Sequence, residues 1–433
     1  MKIAILGAGT VGSAVLEVLA QNETIIAARA GEKITPIAIL ERDKAKFLAK
    51  FSASNGLAKS KFSNLKVYDD FDELIKNDEI DVFVELIGGV EIPRKFITKL
   101  LELKKPVVTA NKALLAYHRS ELETLANDTP FGFEASVAGG IPIIKALREG
   151  LAANHINQIV GILNGTSNYI LTNMMSKGLP FDEVLKDAQK LGYAEADPTF
   201  DIGGFDAAHK LLILASIAYK LNAKPEDILI EGISQISKED IYFANEFEYA
   251  IKLLAIAKRN ENTLELRVHP ALLSKDKMIA NVSGVMNAIS VDGDLVGESL
   301  YYGAGAGGKA TASAVISDLI DIARKIKTPM LGYKDKELDT GLKLLKSDET
   351  SSKFYIRLKV RDELGVIAKI TNIMSQSGVS IDSFLQKPNG KRDDTTIYFT
   401  THTCKSAQMN AVLAAINNLD FVLSKPFTIR IEK

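Results

Sequence analysis

The chain opens with a strand, a glycine-rich turn and a helix, and this combination restricts its fold more than any other feature. Ile3–Leu6 is a continuous apolar run, as expected for a strand buried on both faces of a parallel sheet. Gly-Ala-Gly-Thr-Val-Gly follows at residues 7–12, and an apolar helix is predicted next. The three glycines suit a tight turn, close approach of the backbone to a pyrophosphate, and close helix–strand packing. The helix N-terminus then offers N–H groups to phosphates, so the residues expected to bind a dinucleotide here are Gly7, Gly9, Thr10, Val11 and Gly12.

Length and composition exclude several classes of protein. With 433 residues the chain should divide into two or three domains. A net charge of −1 gives no field for binding nucleic acid. The single Cys404 excludes a disulfide framework and fits a reducing compartment. No uncharged apolar run has the length of a membrane span, and no signal-like segment opens the chain. We therefore expect a soluble, cytoplasmic protein.

Further strands of the amino-terminal region are predicted to end in polar or glycine-rich segments, where open α/β sheets bind ligands. The second strand, Pro36–Leu40, ends in Glu41 and Arg42. An acid there usually accepts a hydrogen bond from a ribose 2′-hydroxyl, and an arginine accommodates a 2′-phosphate. The sequence therefore does not decide between NAD and NADP as the cofactor, although Arg42 favours NADP. The later strand ends predict ligand contacts from Gly88, Thr109 and Lys112.

Two loops in the middle of the chain carry groups suited to ligands. Residues 134–142 (Glu-Ala-Ser-Val-Ala-Gly-Gly-Ile-Pro) expose successive carbonyls around one carboxylate, which suits a hard cation. A tight structural turn is the alternative. Residues 164–168 (Asn-Gly-Thr-Ser-Asn) open a predicted helix with hydroxyl and amide groups, where a cofactor or a small polar substrate could bind.

Residues 192–210 form the most polar of these segments. An acidic loop containing Glu195 runs through Gly203-Gly204 into an apolar helix that begins near Asp206. Lys210 follows one turn later, so the two charged side chains share a helical face. A charged pair at the start of an apolar helix is costly to bury without a purpose. We interpret it as catalytic or substrate-binding, with a surface ion pair as the alternative.

Taken together, these blocks resemble homoserine dehydrogenase, in order from residue 1 to about residue 325. The resemblance rests on GAGTVG (7–12), TANK (109–112), EASVAGGIP (134–142), NGTSN (164–168), GYAEADPTFD…FDAAHK (192–210) and GAGAGG (303–308). It implies reversible reduction of L-aspartate 4-semialdehyde to L-homoserine with NADP or NAD as cofactor. Glu41 departs from the family, which usually has an apolar residue before the arginine. An acid there would repel a 2′-phosphate and counts against NADP.

The resemblance also implies roles for single residues. Lys210 would be the proton donor, with Asp206 and Glu195 as substrate-binding acids. Lys112 would contact both cofactor and substrate. Further residues beside the nucleotide would be Gly165, Gly192 and Gly307, and those around a sodium-like cation would be Glu134, Val137, Gly139 and Ile141.

The expected chemistry agrees with these residue types. Hydride addition to an aldehyde builds negative charge on its oxygen, which requires a positively charged proton donor. A lysine ammonium is such a donor at neutral pH, and a second ammonium at Lys112 would help Lys210 act as a base in the reverse direction. The single cysteine lies far along the chain, which argues against an aldehyde dehydrogenase that uses a thiolate.

The carboxyl-terminal region follows the order βαββαβ, and its Asp362-Glu363-Leu364-Gly365 turn opens a helix. This order resembles an ACT domain, which implies feedback control with threonine as the expected effector; a structural oligomerisation arm is the alternative. The predicted fold class is α/β, with a Rossmann-type doubly wound sheet, a middle α+β mixed sheet and a ferredoxin-like ACT module. The expected assembly is a homodimer or homotetramer.

We expect four segments. They are a dinucleotide-binding domain over 1–130, completed by a returning helix near 305–328; a substrate-binding, catalytic and dimerisation domain over 131–304; a linker over 331–352; and the ACT module over 353–433. Within the second of these, strands are predicted over Ile251–Ala257, Leu264–His269, Ala288–Val291 and Leu295–Glu298. Two other functions stay open: another NAD(P)-dependent oxidoreductase of a small polar amino acid or oxo-acid, and a non-catalytic amino-acid sensor.

Overall fold

The computed structural model describes residues 1–53, 56–335, 338, 340–387 and 393–432, without the side chains of residues 50 and 52. Parts of the predicted linker (336, 337 and 339) and of the predicted ACT module (388–392 and 433) thus lie outside the described residues. The chain forms two compact units. The first unit contains Met1–Asn157, His209–Pro225 and Met286–Leu342, and the second unit contains Gln158–Ala208, Glu226–Val285 and Lys343–Lys433.

The strands are, in chain order, β1 Lys2–Leu6, β2 Thr35–Leu40, β3 Lys66–Tyr68, β4 Val82–Glu85, β5 Val107–Thr109, β6 Phe131–Gly132, β7 Ile156–Ile162, β8 Leu229–Ile230, β9 Tyr249–Asn260, β10 Thr263–Ser274, β11 Met286–Gly293, β12 Gly297–Ala304, β13 Lys343–Leu344, β14 Ser351–Arg361, β15 Ile381–Lys387, β16 Asp394–Thr401, β17 Cys404–Lys405 and β18 Phe427–Glu432.

The α-helices are α1 Thr10–Gln21, α2 Glu23–Ala30, α3 Lys44–Ala53, α4 Leu57–Lys61, α5 Phe71–Leu74, α6 Glu91–Glu102, α7 Lys112–Ala126, α8 Ile143–Lys145, α9 Gly165–Lys177, α10 Phe181–Lys190, α11 Thr199–Ile202, α12 Phe205–Tyr219, α13 Lys238–Glu246, α14 Gly308–Ala323, α15 Val366–Gln376 and α16 Ser406–Asn417. Within the part of the chain that is described, no helix is both long and apolar enough to cross a membrane.

A parallel sheet organises the first unit. Its strand order is β3-β2-β1-β4-β5-β6, and each neighbouring pair is parallel. The order reverses direction beside β1, and such switch points are where open α/β sheets bind ligands. Helices α1 and α14 share one apolar core with β1, which includes Ile5, Leu16 and Val315. This confirms the predicted doubly wound sheet.

The second unit is built on a mixed sheet. β9 pairs antiparallel with both β7 and β10, and β18 pairs parallel with β10. From β18 the sheet continues through β14, β16 and β15. These last four strands, with α15 and α16, have the predicted βαββαβ order and enclose their own apolar core. The ACT sheet is therefore continuous with the sheet of the residues that precede it, which the sequence did not predict.

The structure differs from the expectations for residues 224–300 in two places. The predicted strand Leu295–Glu298 begins too early, because residues 294–296 form the turn between β11 and β12, and β12 begins at Gly297. Helix α13 was not predicted. It begins with a capping box, in which the Ser237 side chain accepts from the Asp240 N–H and Asp240 accepts from the Ser237 N–H.

Candidate functional site

The glycine-rich turn after β1 has the shape that a bound pyrophosphate requires. Gly7 has a φ of +95°, which disfavours any residue with a side chain. A Cβ on Gly12 would lie 2.2 Å from the Gly7 carbonyl oxygen, so α1 approaches the turn too closely for any other residue. Gly9 is the N-cap of α1 and a Cβ there would meet no described atom within 4 Å. The turn therefore leaves open space in front of a helix N-terminus, which fits a dinucleotide phosphate.

The end of β2 folds back onto this turn. The Ala8 N–H donates to Glu41 Oε2 at 2.9 Å, which holds the carboxylate beside the glycine-rich segment. Arg42 is exposed. Of the two candidate ribose-binding residues, the structure thus places the acid, rather than the arginine, against the turn.

The ends of β4 and β5 are joined by a buried carboxyl group that the sequence reading missed. Glu85 accepts from the Thr109 hydroxyl at 2.6 Å and from the Ile87 N–H at 2.8 Å, and burial raises the pKa of Glu85. Asn111 donates to the Gly89 carbonyl at 2.7 Å and caps α7. Lys112, half-buried, is the first residue of α7.

The loop predicted to hold a cation is tightly packed within the first unit. The Glu134 carboxylate accepts from the N–H groups of Ile144 and Lys145 at 2.9 and 2.8 Å, and the Glu134 N–H donates to Asp318 at 2.9 Å. Burial, with the nearby Asp318 carboxylate, raises the pKa of Glu134 to about 7. Burial likewise raises the pKa of Asp318 to about 6. Two carboxyl groups that are costly to ionise together would be stabilised by a cation beside them.

In the same loop, Ala138 and Gly139 both have positive φ values, of +53° and +49°. A Cβ on Gly139 would lie 2.8 Å from the Gly305 carbonyl oxygen, so the loop packs directly on backbone. The Ile141 N–H donates to the Ala138 carbonyl. Among the described residues, no backbone N–H donates to the carbonyl of Val137 or of Gly139.

A bridged pair of carboxylates occupies the second unit. The Asn164 side-chain amide donates to Asp201 Oδ1 at 2.8 Å and to Asp206 Oδ2 at 2.9 Å. Asn164 also caps α9 through the Ser167 N–H. The Thr166 hydroxyl lies 3.3 Å from the second oxygen of Asp201. The polar segment 164–168 therefore holds two acids of the segment 192–210. Asp201 and Asn164 lie in the two segments that the sequence predicts to bind ligands, but their pairing is not visible in the spacing.

Helix α12 carries the charged pair that the sequence singled out. Asp206 is 2% exposed and Lys210 is 8% exposed, and they lie one turn apart. Their burial excludes the surface ion pair that the sequence left open. Glu195 and Gly192 are exposed in the preceding loop. Gly165, at the start of α9, would place a Cβ 2.7 Å from the Val285 carbonyl.

The carboxyl end of β12 leads into a second glycine-rich turn in the first unit. Gly307 has a φ of +118° and is the N-cap of α14. A Cβ on the next residue, Gly308, would lie 3.2 Å from Ala14 and 3.3 Å from the Thr10 carbonyl oxygen. The structure thus brings Gly307 next to the predicted phosphate-binding turn.

Comparison with known proteins gives matches over the whole chain. Residues 7–133 match the family described as "Homoserine dehydrogenase, NAD binding domain", residues 142–320 match "Homoserine dehydrogenase", and residues 354–421 match the ACT domain. A homoserine dehydrogenase of Helicobacter pylori is 51% identical, covering 100% of this chain and 99% of that protein. One from Pseudomonas aeruginosa is 42% identical, with coverage of 100% and 99%.

Solved structures agree. A homoserine dehydrogenase from Thiobacillus denitrificans has 44% identity and a TM-score of 0.91, covering 100% of this chain and 98% of that one. A hyperthermophilic archaeal homoserine dehydrogenase in complex with NADPH has 29% identity and a TM-score of 0.62. The match covers 98% of that chain and 75% of this one.

Proposed function

We propose residue roles for a chain that belongs to the homoserine dehydrogenase family. The chain is an NAD(P)-dependent oxidoreductase, and its reaction is the reversible interconversion of L-homoserine and L-aspartate 4-semialdehyde. The nicotinamide cofactor, when bound, accepts or supplies the hydride. The roles that follow belong to the chain's own side chains.

Lys210 moves the proton. In the reducing direction its ammonium group donates to the aldehyde oxygen as negative charge develops there, and in the oxidising direction the neutral amine removes the proton of the hydroxyl group. The observation that carries this role is the burial of Lys210 one turn after Asp206 on α12. A buried carboxylate so placed favours the charged amine and fixes its direction. Lys112, at the start of α7, is the second ammonium and contacts both cofactor and substrate.

The acids bind the amino-acid part of the substrate. Asp201 and Asp206 are held together by Asn164 and present negative charge suited to an ammonium group. Glu195 closes over the substrate from the exposed loop. The residues proposed to contact the cofactor are Gly7, Gly9, Thr10, Val11, Gly12, Arg42, Gly88, Thr109, Lys112, Gly165, Gly192 and Gly307.

Cofactor preference is set at the end of β2. A carboxylate held against the glycine-rich turn, as Glu41 is, accepts hydrogen bonds from a ribose and repels a 2′-phosphate. The relative solved with NADPH supports use of the phosphorylated cofactor within the family. We therefore propose that this chain accepts both, with Glu41 favouring NAD and Arg42 favouring NADP.

A monovalent cation, sodium, binds the loop of Glu134, Val137, Gly139 and Ile141. Support comes from the raised pKa of Glu134 and from the carbonyl oxygens of Val137 and Gly139. The ACT module binds an amino-acid effector, for which threonine is the candidate. The exposed Phe384 on the edge strand β15 suits pairing with a second copy in a homo-oligomer. The domain boundaries given above remain our proposal.

The proton role of Lys210 is tested by steady-state kinetics of homoserine oxidation, followed as cofactor reduction with NAD and with NADP. Lys210→Ala should lower kcat about a thousandfold with little change in cofactor affinity. Glu195→Ala should chiefly raise the KM for homoserine. Lys220→Ala, directly after the same helix, is the matched control and should retain activity. Near-normal kcat in Lys210→Ala would refute the role.

A further inference from the structure

An ion pair joins the last strand of the chain to residues outside the ACT module. Arg430 lies in β18, where it pairs in register with Ala271 of β10. Its Nη1 donates to Glu231 Oε2 at 2.6 Å, and its side chain is 9% exposed. The guanidinium also lies over the ring of Phe354 at 5.5 Å. A nearly buried arginine that pairs with a single carboxylate is sensitive to the position of that carboxylate.

Glu231 belongs to a segment that packs backbone to backbone against the diglycine turn. The Glu231 N–H donates to the Val268 carbonyl at 2.8 Å, and the Ile233 N–H donates to the Ile202 carbonyl at 2.9 Å. A Cβ on Gly232 would lie 2.5 Å from the same Ile202 oxygen. A Cβ on Gly204 would lie 3.3 Å from the Glu231 carbonyl oxygen. Residues 231–233 therefore cannot move without moving residues 202–204.

The diglycine turn lies between the two bridged acids. Asp201 precedes it and Asp206 follows it on α12, and both accept from Asn164. The Ser167 hydroxyl also donates to the Asp201 carbonyl at 3.0 Å. A small displacement of the turn would therefore change the distance between the carboxylates that we propose bind the substrate.

We propose that Arg430 is a positioning residue for this reaction: through Glu231 and the Gly203-Gly204 turn, the ACT module holds Asp201 and Asp206 at the spacing the substrate requires. The proposal rests on the function proposed above for these two acids. It assigns the ACT module a part in substrate binding that is independent of any effector.

The ion pair between Arg430 and Glu231 can be removed without separating β18 from β10. Arg267 of β10 pairs separately with Glu432 of β18, and backbone hydrogen bonds join the two strands. Glu231 is 42% exposed and Arg430 is 9% exposed. In Glu231→Gln the side-chain carbonyl oxygen can still accept from Arg430, so this substitution removes the charge attraction without leaving the guanidinium unpaired. A change in kinetics after substitution would thus report the position of Glu231 rather than loss of the strand.

The test uses the full-length chain with Glu231→Gln, Arg430→Met and the conservative Arg430→Lys. We expect Glu231→Gln and Arg430→Met each to raise the KM for homoserine about five- to tenfold, with kcat and the KM for the cofactor within about twofold of wild type. The double variant should be no worse than the more affected single variant, since both remove one connection. Arg430→Lys should restore most of the affinity for homoserine.

Arg361→Met is the matched control, because Arg361 pairs with Glu363 within the ACT module at 3.0 Å. It should leave all constants unchanged. Unchanged KM for homoserine in Glu231→Gln would overturn the proposal, as would equal losses in kcat and in both KM values. If Arg430→Met fails to fold, Glu231→Gln decides. A wild-type chain that does not oxidise homoserine would instead contradict the proposed function.

Discussion

At the scale of single residues, the buried charges of the second unit support the polar segment that carries the site. Lys252 of β9 is buried, and burial lowers its pKa to about 8. Its ammonium donates to Asn168 Oδ1 at 3.3 Å and to the Val282 carbonyl at 2.5 Å. The Asn168 amide donates to the same carbonyl at 3.2 Å. Residues 164–168 are thus hydrogen-bonded to a lysine through Asn168 and to two acids through Asn164.

The raised pKa of Glu134 predicts a pH dependence of stability. Because the folded-state pKa of about 7 lies above the usual value of 4.5, the folded protein binds the proton more tightly than the unfolded chain. This contribution, about 3 kcal/mol, is present below pH 4.5 and is lost as pH rises through 7. In sodium-free buffer the melting temperature of wild type should therefore fall over this range.

Glu134→Gln should flatten that fall, whereas Glu102→Gln, which changes an exposed carboxyl group, should not. Adding sodium chloride, but not choline chloride, should raise the wild-type melting temperature at pH 8. An identical pH dependence in wild type and Glu134→Gln would contradict the assignment of the carboxyl group.

The proposed site residues that lie within short motifs could be selected from the sequence, whereas the contacts that bridge them could not. Lys210 and Asp206 could be paired because i, i+4 spacing on a helix fixes their separation. Asn164 and Asp201 are 37 residues apart and meet only through folding. Glu85 lies in the buried strand β4. Its side chain joins the ends of β4 and β5 through hydrogen bonds that no local sequence pattern indicates.

At the scale of secondary-structure elements, the strand–turn–helix unit that opens the chain was predictable because each of its glycines has a separate steric role. The predicted second strand, Pro36–Leu40, ends at the same residue as β2. Helix α13 was not predicted, because it is short and its partners, Tyr355 and Arg357, lie far along the chain. Both donate to the buried Asp240, at 2.7 and 2.8 Å.

Two of the three glycines of the first turn, Gly9 and Gly12, should respond differently to the same substitution. Gly12→Ala forces a Cβ against the Gly7 carbonyl and should lower both melting temperature and cofactor affinity. Gly9→Ala has space in the protein itself, so it should leave the melting temperature unchanged and raise the KM for the cofactor about tenfold or more. Thermal denaturation and cofactor titration measure the two effects. Unaltered cofactor binding in Gly9→Ala would contradict a phosphate at this turn.

At the scale of the whole molecule, the continuity of the ACT sheet with the preceding sheet changes how regulation should be tested. β18 is hydrogen-bonded to β10, so removing the last 80 or so residues would expose a strand edge. The sequence predicted the βαββαβ order because each element has its own apolar periodicity. It did not predict the pairing of β18 with β10, which depends on strands more than 150 residues apart.

Threonine should inhibit homoserine oxidation by the full-length chain, and serine should be weaker. Asp362→Ala, in the turn before α15, should raise the threonine concentration for half-inhibition about tenfold without changing uninhibited kcat. Initial rates at increasing threonine measure this. Absence of inhibition and of calorimetric threonine binding to the wild-type chain would contradict the regulatory assignment.

The proposed function depends on transfer of the substrate hydroxyl proton to the Lys210 amine. The most direct measurement is rescue of Lys210→Ala by added methylamine during homoserine oxidation. If Lys210 moves the proton, the rate should rise with methylamine concentration and with pH, while Lys112→Ala shows no such rescue. A Lys210→Ala enzyme that turns over within tenfold of wild type without any added amine would contradict it.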